Sequence, residues 1–259
     1  FFFFKQKTAY EIKECDWSSD VCSSDLHKAL IDLEDLYKKN VPSADFDFNI
    51  SSAEDINLMV IKNILYLRKK YNFKDEWIFA FFHSMKQDIS PQPYETLNDS
   101  LHYVYGSADV IGLMMSKILS LPDKALPFAE AQGRAMQWIN FIRDIKEDNA
   151  LGRCYFPQED LEKFELKDLR YKTVVKRPEQ FKAFMQLQLS RYEEWQNIAS
   201  KGYQYIPKRL RVPLITANNM YAWTASVISK DPLIVFEAKI KPSKTKVLSR
   251  AFKNLALIR

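Results

Sequence analysis

From His27 onward, apolar residues recur at spacings of three and four rather than two, which predicts a succession of amphipathic helices. Ala29, Leu30, Leu33, Leu36 and Tyr37 form the first stripe. Ser52, with Asp55 in the first turn, opens a second whose face runs through Ile56, Met59, Val60, Asn63, Ile64 and Leu67. A third covers residues 74–88. After the breaker Ser90-Pro91-Gln92-Pro93, Thr96 is placed to cap a long helix reaching Leu121, where Pro122 stops it. Helices over 124–148, 158–164, 178–201, 207–229 and 244–258 follow, with an irregular stretch at 152–157. No segment alternates with period two for long enough to predict a sheet, and no internal repeat is visible. The expectation is one all-α domain over residues 27–259.

Residues 1–26 break this pattern. Phe1 to Phe4 has no basic flank, and the Asp16 to Asp25 stretch has neither helical nor strand period, so a signal peptide is not indicated. Back-translated, Lys5 to Ile12 and Cys22 to Leu26 resemble oligonucleotides used to build sequencing libraries. The segment is therefore expected to be translated adapter, with the natural chain starting near His27 and lacking its own first helices. Without it the charge rises from +5 to +7, with 35 basic and 28 acidic residues.

Composition narrows the function classes. Five glycines in 259 residues, with no GxGxxG or GxxxxGK[ST] pattern, count against nucleotide sites built on glycine-rich loops. Both charge signs are spread along the chain, so no nucleic-acid partner is expected. No apolar run approaches the ~18 residues needed to span a bilayer. Cys15, Cys22 and Cys154 are too few and scattered for a disulfide framework or zinc site, which suits a reducing cytoplasm.

The informative segment is Gln137-Trp138-Ile139-Asn140-Phe141-Ile142-Arg143-Asp144-Ile145-Lys146-Glu147-Asp148. Asn140, Asp144 and Asp148 stand at i, i+4 and i+8, so they climb one helix face with Gln137 a turn below. One carbonyl and two carboxylates are hard oxygen ligands, suited to Mg²⁺, which commonly bridges carboxylates to substrate phosphates. Arg143 flanks that face, where its fork could take a diphosphate oxygen. A solvated helix end with i, i+4 pairs among Arg143, Lys146 and Glu147 is the competing reading. Beyond the helix, Gly152-Arg153-Cys154-Tyr155-Phe156-Pro157 offers a glycine, a cation and a tyrosine where a lid would be useful.

Gln137-x-x-Asn140-x-x-Arg143-Asp144-x-x-Glu147-Asp148, followed by Gly152-Arg153-x-Tyr155-x-Pro157, resembles the second aspartate-rich motif of the squalene/phytoene synthases. The resemblance continues through Ser84 to Asp88, Tyr94-Glu95-Thr96, Tyr105 to Met114, Ala217 to Tyr221 and the lysines between 239 and 246. It implies an isoprenoid-synthase-type helical bundle around a central cavity. It also implies Mg²⁺-dependent (or Mn²⁺-dependent) head-to-head condensation of two prenyl diphosphates through a cyclopropyl intermediate. C20 substrates giving phytoene are favoured over C15 substrates giving squalene or dehydrosqualene, and NADPH enters only if the product is squalene. By resemblance, Asn140, Asp144 and Asp148 hold the metal; Asp144, Asp148 and Tyr155 are catalytic; Gln137, Arg143, Arg153 and Tyr221 contact substrate. Arg153 and Tyr155 belong to a closing loop. Tyr94 is a further substrate-side candidate. Tyr105, Val110, Leu113 and Met114 line the apolar cavity, where Gly106, Ala108 and Gly112 leave room, although plain helix packing explains the same stripe. Lys86 and Asp88 could steer substrate, a solvated charged face being the simpler reading. The expected state is a cytoplasmic monomer, with the basic 244–259 end in peripheral contact with an anionic membrane surface as one option.

The family carries two aspartate-rich motifs, and the first, D-x-x-x-D, is missing upstream of Ser84. Asp32 and Asp35 have the wrong spacing, Asp45, Asp47 and Asn49 follow Pro42 in an expected loop, and Asp16 and Asp20 fall in the foreign segment. The chain as written is therefore expected to be inactive or nearly so. A class I terpene cyclase shares the i, i+4, i+8 ladder and is the alternative enzyme; a catalytically dead relative kept for protein interactions is the alternative outside enzymes.

Overall fold

The computed structural model describes residues 23–41 and 56–258, and every regular element among them is a helix. Most of the segment read as foreign, the acidic stretch at 45–49 and the helix start at 52–55 lie outside those residues. The chain divides into two compact units, residues 1–66 and 67–259.

In the first unit, helix α1 (Ser23–Asn40) carries Lys38 and Lys39 in its last turn, where cations interact favourably with the helix dipole. Tyr37 is fully buried, and the Asn40 amide donates to the Leu36 carbonyl at 2.7 Å. Helix α2 (Ile56–Tyr71) contains the boundary between the units. Its buried side runs through Ile61, while Met59 and Val60, expected inside, are exposed. Apolar residues surround this helix almost completely, so the sequence pattern could not select one face.

The second unit opens with α3 (Asp75–Ile89) and α4 (Leu97–Val104). Thr96 caps α4 as expected. The Asp99 amide donates to its hydroxyl at 3.3 Å, and the Thr96 amide donates to the Asp99 carboxylate at 2.8 Å. The predicted long helix runs from α4 through a π-helical turn (Tyr105–Asp109) into α5 (Val110–Ile118), with helical backbone at both junctions and an end at Ile118 rather than Leu121. The space beside its glycines is filled by neighbouring backbone. A Cβ at Gly106 would sit 2.0 Å from the Ala80 carbonyl oxygen of α3, and one at Gly112 would sit 2.2 Å from that of Ala129. At these two positions close helix packing explains the small residues, not room for a ligand.

A 3₁₀ turn (Asp123–Ala125) leads into α6 (Leu126–Arg143), started by Pro127 in its first turn. The short α7 (Ile145–Ala150), α8 (Gln158–Lys163) and α9 (Tyr171–Val174) precede the long α10 (Pro178–Ser200). A second 3₁₀ turn (Lys201–Tyr205), α11 (Lys208–Lys230), α12 (Ile234–Glu237) and α13 (Lys244–Ile258) complete the chain. The core centres on α6 against α10. Trp138 is fully buried, edge-on to Trp195 at 5.2 Å and to Phe156 at 5.6 Å, with Phe184, Met185 and Tyr192 around it.

The π turn carries one buried acid. Arg134 donates twice to Asp109 Oδ2, at 3.0 and 2.5 Å, and also to Glu130 at 2.8 Å, while Asp109 Oδ1 has no partner. Burial pushes the Asp109 carboxyl up to about 7, outweighing its pairing with Arg134. The folded chain therefore binds a proton more readily than the unfolded chain. This contribution to stability is fully present below about pH 4 and is lost as pH rises through about 7. Denaturant titrations should show Asp109→Asn flattening that decline by a few kcal/mol between about pH 4 and 7, one pKa unit being about 1.4 kcal/mol.

Candidate metal and diphosphate site

The expected ladder forms, with one change. Instead of one helix over 124–148, the chain leaves helical geometry at Asp144 (φ −100°, ψ 18°), between α6 and α7. The i, i+4 bonding survives the kink: the Asp144 amide donates to the Asn140 carbonyl at 2.8 Å and the Asp148 amide to that of Asp144 at 2.8 Å. Asn140, Asp144 and Asp148 thus stay stacked along one side. Trp138, Ile139, Ile142 and Ile145 are buried and fix the helix rotation. None of the expected i, i+4 pairs forms among Arg143, Lys146 and Glu147: Arg143 pairs with Asp144, and the Lys146 ammonium donates to the Phe236 carbonyl at 2.8 Å.

The Arg143 fork is engaged bidentately by Asp144, at 2.7 and 2.5 Å, rather than free at the flank. Tyr221 of α11 completes this corner. Burial raises its phenol pKa, while the Arg143 charge and hydrogen bonding with Asn140 pull it back. Asn140 Oδ1 is buried without a hydrogen-bond partner. Leaving such an oxygen unsatisfied costs about 1–3 kcal/mol, so its orientation calls for a ligand.

Asp148 shows the same tension electrically. Burial, then the charge of Asp144, pushes its carboxyl up to about 8; Arg153 opposes this and Asp88 adds to it. A divalent cation would relieve that repulsion and satisfy Asn140, so these residues fit Mg²⁺. Among the described residues no cluster of three or more histidine, cysteine, aspartate or glutamate side chains assembles a metal site by protein ligands alone. Such a sparse set matches a cation completed by substrate phosphates and water.

Beyond α7, Gly152 adopts φ +70°, the left-handed conformation that turns the chain back. The following segment is not a free flap. Tyr155 is 8% exposed and stacks on Phe141 at 4.2 Å with a 10° interplanar angle, and Phe156 is buried against Trp138. Two aromatic side chains bury too much surface to remain in a loose loop.

Asp88 holds this segment in place. One carboxylate oxygen accepts from the Tyr103 hydroxyl at 2.7 Å and from the Tyr155 hydroxyl at 2.9 Å; the Arg153 guanidinium donates to the Asp88 carbonyl at 2.7 Å. Tyr94 stacks beside Tyr103 and Tyr155, its pKa raised by burial and then by Asp88. Tyr103 was not singled out by the sequence, and Asp88 was read as a solvated charge or a substrate-steering group, not as a clasp for this segment. A signal existed: an acid in the last turn of a helix opposes the dipole, which invites another reason for its presence. Removing the Asp88 carboxylate should free both hydroxyls. Asp88→Ala is expected to accelerate amide hydrogen exchange over residues 153–156 about 30-fold, the equivalent of ~2 kcal/mol.

The remaining expected residues disperse. Gln137 is half-buried on α6. Burial, then the charges of Glu76, Glu130 and Asp109, raises the Tyr105 phenol pKa. Val110 and Leu113 are buried in the packing of α5, and Met114 is half-buried. An open groove of about 390 Å³ is lined by Lys146, Asn149, Arg170, Tyr171, Phe236 and Glu237 and contains none of the ladder residues.

Comparison with known proteins bears on this geometry. A family model described as squalene/phytoene synthase matches residues 25–246. The 15-cis-phytoene synthase of Enterobacter agglomerans is 34% identical over 151 residues, covering 55% of this chain and 49% of that protein. That of Paracoccus sp. is 27% identical over 177 residues, covering 68% of this chain and 57% of that protein. The chain thus spans about half the length of the curated relatives it matches. Among solved structures, squalene synthase HpnC from Alicyclobacillus acidocaldarius superposes with a TM-score of 0.63 at 21% identity, covering 79% of each chain. A dehydrosqualene synthase in complex with ligand gives 0.60 at 17% identity, covering 89% of this chain and 86% of that one. At these identities the two structures establish the fold alone.

Proposed function

Because the chain belongs to the squalene/phytoene synthase family, we propose that its site serves the Mg²⁺-dependent head-to-head condensation of two prenyl diphosphates. The observation that carries this reading is the Asn140–Asp144–Asp148 ladder, with Asn140 Oδ1 unpartnered and Asp148 raised to about 8 beside Arg143, Arg153 and Tyr221. C20 substrates giving phytoene are favoured, since the relatives named above are phytoene synthases; C15 substrates are the alternative, with NADPH required only for squalene.

In this reading Asn140, Asp144 and Asp148 would hold Mg²⁺, or Mn²⁺ in its place. The metal, when bound, supplies charge neutralisation for the departing diphosphate. Arg143 and Arg153 bind diphosphate oxygens, and Tyr221 orients Arg143 and Asn140 toward them. Diphosphate departure leaves a carbocation, so water must be kept out. The stacked Tyr94, Tyr103, Phe141 and Tyr155 rings supply that dry wall, pinned by Asp88. Tyr155 is positioned through its hydroxyl, which donates a hydrogen bond to the Asp88 carboxylate.

We also propose that turnover by the chain as written is slow, because no D-x-x-x-D motif stands between His27 and Ser84. Incubation with C15 and C20 prenyl diphosphates and Mg²⁺, followed by product chromatography, should give linear dimer only near background. Rapid formation of that dimer would overturn the slow-turnover proposal, and a cyclic monomeric product would overturn the head-to-head reading. No described helix is long and apolar enough to cross a membrane. A cytoplasmic monomer in peripheral contact with membrane completes the proposal.

A further inference from the structure

Helix α7 carries Asp148, yet little of its own surface is buried to hold it. The chain leaves helical geometry at Asp144, so α7 does not inherit its direction from α6. Of its six residues only Ile145, the first, is buried. The apolar side chains that fix the rotation of α6 therefore stop just beyond the kink. The turn that bears Asp148 needs other support, because a helix with one buried side chain can still roll and tilt about it.

Two polar side chains supply that support. The Lys146 ammonium donates to the Phe236 carbonyl of α12 at 2.8 Å, and the Asn149 amide donates to the Leu169 carbonyl at 2.7 Å. Both acceptors belong to residues of the hydrophobic core. With 3.6 residues per turn, Lys146 stands about 160° and Asn149 about 100° around the helix from Asp148. Both bonds thus hold α7 from the side away from its metal face. Behind them lies the open groove of about 390 Å³, lined by Lys146, Asn149, Arg170, Tyr171, Phe236 and Glu237. Close packing sets orientation inside a core; on this side of α7 hydrogen bonds must do so. Charge alone argues against a lysine here, since it stands two residues from each of Asp144 and Asp148 and would repel a cation bound between them. The bond to α12 gives a reason for its place.

We propose that Lys146 and Asn149 are positioning residues for the metal site: they aim α7 so that Asp148 stays in line with Asn140 and Asp144. The proposal deepens the Mg²⁺–diphosphate reading of that ladder and rests on it.

Calorimetric titration with inorganic diphosphate and Mg²⁺, paired with amide hydrogen exchange of the metal-free full chain, tests it. Lys146→Met and Asn149→Leu should each weaken Mg²⁺-dependent diphosphate binding about tenfold and speed exchange over residues 148–151 about tenfold. Exchange over residues 138–143 of α6 and the thermal melt should not change, since neither side chain is in the core. Lys146→Arg keeps both donor and charge, and should bind within about threefold of the unmodified chain. The sign for Lys146→Met is decisive, because loss of a cation by itself would strengthen Mg²⁺ binding. Stronger binding by that variant, with Asn149→Leu unchanged, would overturn the proposal. So would faster exchange that spreads into α6, or faster exchange in α7 with undiminished diphosphate affinity. If the unmodified chain binds no diphosphate with Mg²⁺, the proposed function fails, and the exchange measurement alone then decides whether the two side chains hold α7.

Discussion

Asp144→Ala is expected to lower the Mg²⁺-dependent affinity for inorganic diphosphate at least about hundredfold, or ~3 kcal/mol. Asp144 is the middle rung of the ladder and holds the Arg143 fork bidentately. Its loss would remove a proposed metal ligand and one of the two carboxylates that would draw the cation. It also leaves a guanidinium with a side chain only 10% exposed without its partner. The freed Arg143 can then meet an anion directly. Isothermal titration without Mg²⁺ should accordingly show weak diphosphate binding that the unmodified chain lacks. A purely structural role for Asp144 would weaken the Mg²⁺ titration with no such gain, so the Mg²⁺-free titration separates the two explanations.

Gly106→Ala is expected to destabilise the fold by about 3–5 kcal/mol, which at this chain length lowers Tm by roughly 10 °C. The added Cβ would lie 2.0 Å from the Ala80 carbonyl oxygen, 2.6 Å from its carbon and 2.3 Å from Ser84 Oγ. Two of these atoms are backbone of α3, so the π turn and α3 must separate. Trimming the side chain with Ser84→Ala should give little rescue, because the carbonyl remains. Gly152→Ala makes the contrast: nothing lies within 4 Å of its added Cβ, but φ is +70°. That substitution should cost only about 1 kcal/mol. Thermal melts of the two variants should therefore differ several-fold in shift.

The helices most legible in the sequence were those with one clear face or clear punctuation. Pro178 opens α10, Thr96 with Asp99 boxes the start of α4, and α13 has the expected limits 244–258. The Asn140–Asp148 ladder was legible because i, i+4 spacing survives a kink that keeps its hydrogen bonds. The π turn was not, since it depends on how closely α3 approaches Gly106, a tertiary distance with no local signature. Burial of Tyr155 and Phe156 was hidden for a related reason. An aperiodic run after a glycine reads as a loop whether its aromatic residues reach solvent or Trp138 and Phe141. Asp88 was undervalued because its partners, Tyr103 and Tyr155, are 15 and 67 residues away in sequence.

The central claim is that Asn140, Asp144 and Asp148 form a Mg²⁺-dependent diphosphate site. The most direct test is calorimetric titration of the unmodified chain with inorganic diphosphate, with Mg²⁺ present and with Mg²⁺ removed by chelation. The account predicts saturable one-to-one binding that requires Mg²⁺ and is lost in Asp148→Ala. Binding of equal strength with and without Mg²⁺, or Mg²⁺-dependent binding that persists in Asp148→Ala, would contradict it.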